Sequence, residues 1–131
     1  MRALVTGAAG FAGQWLCREL LHSGWEVWGT QLDDALPPGA LDDDASQAVH
    51  WWQGDLRAQT AAHDAIDAAS PDAIFHLAGI AHVPSANADP AGTLDVNVIV
   101  ASRILGNVRT RRAAGTLDPV VVVVGSGEQY G

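Results

Sequence analysis

A chain of 131 residues supplies one domain of ordinary size and too little for two. At 48% hydrophobic and 17% charged it falls in the globular range; a formal net charge of −8 argues against nucleic-acid or anionic-membrane partners, which need a basic surface. A single cysteine, Cys17, excludes an internal disulfide and a cysteine-based zinc site, and all seven basic residues are arginine, so no lysine is present for any chemistry.

Short apolar runs alternate with helical patterns along the chain. Ala3-Leu4-Val5 reads as a buried strand stopped by Thr6-Gly7. From Phe11 the apolar residues Ala12, Trp15, Leu16 and Leu20 recur at helical spacing, and Gly24 after Ser23 supplies a left-handed helix end. Cys17 in this stretch reads as a small buried hydrophobe rather than a reactive thiol. A second strand is expected over 26–30. Residues 32–47, with Pro37-Pro38-Gly39 and Asp42-Asp43-Asp44, read as a loop whose carboxylates are solvated rather than metal-binding. A third strand at 49–52 leads through Gly54-Asp55 into a helix over 58–69. The fourth strand, 73–77, opens at Ala78-Gly79 into a loop running past Pro84 and Pro90. A longer helix follows over 92–113. Val120 to Val124, all β-branched, forms a fifth strand expected to be buried on both faces.

Strands separated by helices imply a parallel sheet, because parallel neighbours need a crossover. With right-handed crossovers the expectation is an α/β, Rossmann-like doubly wound sheet of five strands in the order 3-2-1-4-5. The domain is read as one unit over 1–131, incomplete and lacking a C-terminal substrate domain. No leader-like segment precedes the first strand, and the valine run is too short to span a bilayer, so a soluble, cytoplasmic protein is expected.

The segment Thr6-Gly7-Ala8-Ala9-Gly10-Phe11-Ala12-Gly13 lies between the first strand and first helix. Gly7 suits the sharp turn, Gly10 lets backbone approach a pyrophosphate, and Gly13 lets the helix pack closely. The first helical residues, Phe11 and Ala12 among them, present N–H groups and the positive dipole end to phosphate. A plain glycine-rich turn is the alternative, and the strand-turn-helix context argues against it.

The spacing of three residues between glycines, after a threonine, resembles the extended branch of the short-chain dehydrogenase/reductase superfamily, the NAD-dependent epimerases and dehydratases of nucleotide-linked sugars. The resemblance runs the whole length of the chain. It implies that Asp55 and Leu56 contact adenine, although Asp55 also fits a helix cap. It further implies that Leu77, Ala78 and Gly79 pass under the ribose and nicotinamide, and that Asn97 supports the active site. Asparagine inside a helix is locally unfavourable, which itself points to a tertiary hydrogen bond. His82 fits either a substrate contact or a solvated loop residue.

By the same resemblance, Ser126 takes the position that hydrogen-bonds the reacting oxygen, and Glu128 matches the base that eliminates water in GDP-mannose 4,6-dehydratases. Residues 125–131 look most like the reductases of GDP-4-keto-6-deoxy-mannose, with the dehydratases as the competitor. Tyr130 matches a structural aromatic instead of the catalytic tyrosine, which is followed after three residues by lysine. The chain is therefore read as truncated before that pair and inactive alone. Departures are Ala86, beside Ser85, where a substrate-contacting serine is usual, and Val100-Ala101 in place of glycine-threonine. For the cofactor, NAD or NADP, Gln31 falls at the position that reads the ribose 2′-hydroxyl. With Asp33-Asp34 just beyond and no arginine between Arg18 and Arg57, the reading leans to NAD. The partners expected are a nucleotide sugar and a second copy of the chain. The alternative of another class is a non-catalytic NAD(P)-binding module.

Overall fold

The structure, a computed structural model, describes residues 1–33 and 36–126. Five parallel strands form one sheet: β1 (Arg2–Thr6), β2 (Glu26–Gln31), β3 (Val49–Gln53), β4 (Ala73–His76) and β5 (Val120–Val123). Their order is β3-β2-β1-β4-β5, the doubly wound arrangement expected. The register sets Thr6 opposite His76, which brings the C-terminal ends of β1 and β4 level with each other.

Strand alternation divides the core between the two faces of the sheet. On one face Leu4 and Ile74 pack against α3 (Ala61–Ala69) and α6 (Val100–Ala114) through Ala62, Ala65, Ile66, Ile104 and Val108. On the other, Ala3, Val5 and Val27 meet Cys17 and Leu20 of α1 (Phe11–His22), with Leu41 and Val49 beside them. Burial pushes the Cys17 thiol up to about 12, so it behaves as the buried hydrophobe expected. Helix α1 ends as anticipated: Gly24 takes φ +77°, its N–H donates to the Leu21 carbonyl, and Trp25 N–H donates to that of Leu20.

Three expectations need correction. Residues 32–47 are not all loop, because α2 (Asp43–Ala48) forms where the Asp42 carboxylate accepts from Ala45 N–H at 2.8 Å. The acidic cluster is thus a helix start, with Asp43 and Asp44 in the favoured first turn. Pro84 and Pro90 do not mark a loop; they open α4 (Val83–Ala88) and α5 (Pro90–Leu94), where a missing N–H is harmless. Asp89 caps α5 by accepting from Gly92 N–H at 3.0 Å, so helix begins before residue 92.

The third correction concerns the valine run. Val121 packs on the core, but Val120, Val122, Val123 and Val124 are exposed. Among the described residues β5 pairs only with β4, at the sheet edge, and no helix covers its outer part. β-Branching favoured the strand; burial depends on what packs against it. No helix among the described residues is long and apolar enough to cross a membrane.

Ile66 is fully buried between the sheet and α6. Ile66→Ala is expected to cost about 2–5 kcal/mol, through lost burial and a residual cavity, read as a lower urea midpoint with unchanged m-value.

Candidate functional site

The carboxyl ends of the strands open on a cavity of about 490 Å³. It lies where the chain's direction of winding reverses, between β1 and β4, the place at which such sheets bind ligands. Its walls come from the turn after β1, the end of β2, residues 54–57 after β3, residues 77–80 after β4, and Val96 and Val100.

The turn after β1 is built by glycine for steric reasons. Gly7 adopts φ +69°, and a Cβ there would lie 2.8 Å from the Ala78 backbone nitrogen. A Cβ on Gly13 would overlap the Gly7 carbonyl oxygen and come within 2.7 Å of Ala8 Cα. Helix α1 therefore packs against the turn itself. Gly10 is its N-cap, with extended backbone and no side chain to occupy the helix start. The first N–H groups of a twelve-residue helix are thereby left without a side-chain cap, the arrangement found where helix starts bind anions.

Thr6 and His76 join the two central turns. Ala78 N–H donates to Thr6 Oγ1 at 3.1 Å, and Thr6 Oγ1 lies 2.7 Å from His76 Nδ1. Both side chains are buried, and desolvation lowers the pKa of His76 from its usual value. On the neighbouring strand, Thr30 Oγ1 accepts from Gly7 N–H at 3.1 Å.

Beyond β3, Arg57 grips the Asp55 carboxylate. Its Nε donates to Oδ1 at 3.1 Å and to Oδ2 at 2.9 Å, and Nη2 to Oδ2 at 2.6 Å. Asp55 Oδ1 also accepts from Arg57 N–H at 2.9 Å. The Arg57 side chain thus holds the carboxyl below its ordinary range. Asp55 is not the cap of α3: that helix starts at Ala61, and Thr60 occupies the N-cap.

Asn97 makes the tertiary contact its position suggested. Its Oδ1 accepts from Ile80 N–H at 2.7 Å, and its Nδ2 donates to the Ile80 carbonyl at 3.1 Å. The residue sits in a π-helical turn, Asp95–Ile99, between α5 and α6. Such wide turns often occur at functional sites.

Gly7, Gly10, Gln31, Asp55, Leu56, Leu77, Ala78 and Gly79 all line the cavity, whereas Phe11, Ala12, Gly13 and Asn97 are outside its lining. Phe11 is 83% exposed. Ser126 is exposed, beyond the end of β5 and outside the lining. Glu128 and Tyr130 lie outside the described residues. His82 Nδ1 is 2.9 Å from Ser85 Oγ, a local contact away from the cavity. Sequence reading missed Thr30, Pro37, Arg57 and Ile80 as lining residues. Only Arg57 carried a signal, two positions after Asp55. Also missed was Gln14, a buried amide in α1.

Residues 3–131 match the profile of the NAD dependent epimerase/dehydratase family. The chain belongs to that family. It is 32% identical over 133 residues to the GDP-6-deoxy-D-mannose reductase of Pseudomonas aeruginosa, covering 99% of this chain and 35% of that protein. A GDP-mannose 4,6-dehydratase of Vibrio cholerae is 30% identical over 116 residues, covering 82% and 31%. Among solved structures, the UDP-glucose 4-epimerase of Thermus thermophilus, in complex with NAD, superposes with a TM-score of 0.71 at 28% identity, over 84% of this chain and 34% of that one. The chain thus spans about a third of the length of these relatives.

His76 gives a pH dependence of known sign. Its folded pKa lies below the unfolded value near 6.5, so below that pH the unfolded chain binds the extra proton. Stability is expected to fall as pH drops from about 6.5 towards the folded pKa. Urea unfolding at about pH 7.5 and about pH 5.5 should show the loss, with a smaller loss in His76→Asn.

Proposed function

We propose that this chain is the dinucleotide-binding part of an NAD(P)-dependent nucleotide-sugar reductase of the GDP-4-keto-6-deoxy-mannose reductase type. The observation that carries the reading is the glycine turn at the mouth of the central cavity. There Gly7 lies against Ala78 and Gly10 leaves the start of α1 uncovered.

The residues fit a dinucleotide along its whole length. The start of α1, with Gly10, Phe11, Ala12 and Gly13, would hold the pyrophosphate. Gln31 and Asp33 would face the adenosine ribose, and Asp55 and Leu56 the adenine. Leu77, Ala78 and Gly79 would support the nicotinamide end, with Asn97 fixing the backbone at Ile80. Asp33 in the lining favours NAD over NADP, because a carboxylate repels a 2′-phosphate. When bound, the cofactor supplies the hydride-transfer chemistry. Ser126 would hydrogen-bond the sugar's reacting oxygen.

Similarity to the Pseudomonas aeruginosa reductase supports the reductase reading. Glu128, at the dehydratase base position, and the Vibrio cholerae relative support GDP-mannose 4,6-dehydratase as the second reading. Either chemistry needs a tyrosine whose pKa is lowered by a lysine, and these 131 residues contain no lysine. The chain alone is therefore inactive.

Titration with NADH, followed by nicotinamide fluorescence, should show saturable binding. NADPH binding at least tenfold tighter would overturn the lean to NAD, and no binding of either would overturn the proposal. With GDP-4-keto-6-deoxy-mannose and NAD(P)H the purified chain should show no cofactor oxidation. Turnover would refute the placement of the catalytic pair outside these residues.

A further inference from the structure

Gln14 is a glutamine in the first turns of α1, 1% exposed, and among the described residues the largest buried polar side chain away from the strand ends. Its amide bonds three backbone groups. Nε2 donates to the Ala9 carbonyl at 3.0 Å and to the Pro37 carbonyl at 2.8 Å, while Oε1 accepts from Leu41 N–H at 3.3 Å. Both amide protons are used, and one bond reaches the glycine turn while two reach the segment after β2.

Pro37 within that segment lines the cavity, as do Leu32 and Asp33 ahead of it and Ala9 in the glycine turn. We propose that Gln14 is a positioning residue: its amide pins the 36–41 segment to the glycine turn and so fixes the adenosine-ribose wall. The inference rests on the dinucleotide reading above and adds to it a residue that sets the shape of the pocket and its preference for NAD over NADP.

Gly39 supplies independent support. A Cβ there would overlap Gln14 Oε1 and lie 2.5 Å from Cδ. Gly39 is not among the positive-φ glycines, so no left-handed backbone demands glycine there. The Gln14 amide is therefore the obstacle to a side chain at this position. The amide cannot retreat without giving up its bonds to Ala9, Pro37 and Leu41. Of the three partners the Leu41 N–H is the buried one, and a buried donor left without its acceptor is costly, so that bond resists the retreat most.

The test uses Gln14→Met, which keeps the buried volume and removes all three bonds, together with Gly39→Ala and the double variant Gln14→Ala/Gly39→Ala. Two readouts are taken: amide hydrogen exchange at Leu41 without ligand, and affinity for NADH and NADPH. Gln14→Met and Gly39→Ala should each speed Leu41 exchange at least roughly tenfold, since a local opening loses its main restraint. NADH affinity should fall about tenfold, and NADPH affinity less, so that the preference narrows by roughly threefold. A merely structural role would lower both affinities together. The double variant should bind NADH no worse than Gly39→Ala alone, because both changes remove one set of bonds.

Unchanged Leu41 exchange with NADH affinity within about twofold would overturn the inference. Equal losses for NADH and NADPH would overturn its claim on specificity. A parent chain that binds neither dinucleotide overturns the functional reading instead, and Leu41 exchange then decides the pinning by itself.

Discussion

Two turns touch backbone to backbone at the centre of the sheet, where Gly7 after β1 meets Ala78 after β4. A methyl group on Gly7 would sit 2.8 Å from a main-chain nitrogen that cannot move without disturbing β4. This approach needs the parallel register that sets Thr6 beside His76, and the Thr6 hydroxyl then binds Ala78 N–H. The cavity opens at this level, lined by both turns and by the ends of the strands beside them. Every other wall is referred to that contact. Thr30 holds Gly7 from the β2 side, Asn97 holds the chain beyond Gly79 from the helix side, and Gln14 carries the constraint outward to residues 37 and 41.

Helix packing preserves this arrangement. Helix α1 lies so close to the turn that Gly13 has no room for a side chain, and α3 approaches the sheet through Ala61, Ala62, Ala65 and Ala69. Small residues on α3 allow a close approach without a large apolar stripe. The longer residues Ile104 and Val108 of α6 fill the remainder of that face. The site therefore rests on close-packed elements.

The sheet and its order were legible because the signals were local. Short apolar runs, a glycine after Ser23 and a glycine turn after β1 each have one main physical meaning. The helices that open at Pro84 and Pro90 were obscured because proline signals a break in composition, although it also occupies the first turn of helices. The composition of the acidic run 42–44 suggests solvated carboxylates, whereas the decisive fact is one carboxylate reaching a backbone N–H three residues on. Asn97 was legible as an anomaly, since an asparagine within a helix pattern needs a partner elsewhere. Gln14 offered no anomaly, being a good helix former at a plausible surface position; its burial depends on a segment more than twenty residues away. The valines of β5 show the same limit, for composition reports strand preference and not which face is covered.

The charge of the chain sharpens what the cavity has to do. At −8 the protein would repel a pyrophosphate at long range, yet its family takes a dinucleotide. Arg57 is the cation among the lining residues, and it is committed to Asp55 through several hydrogen bonds. Among the described residues, then, the cavity offers no uncommitted side-chain cation for the phosphates. In the proposed reading their attraction falls to the N–H groups at the start of α1, whose partial charge acts at contact distance and needs no counter-ion. Backbone donors also demand that nothing stand between them and the ligand. Gly10 meets that demand, since a side chain there would crowd the Gly7 carbonyl at 3.2 Å and cover the helix start.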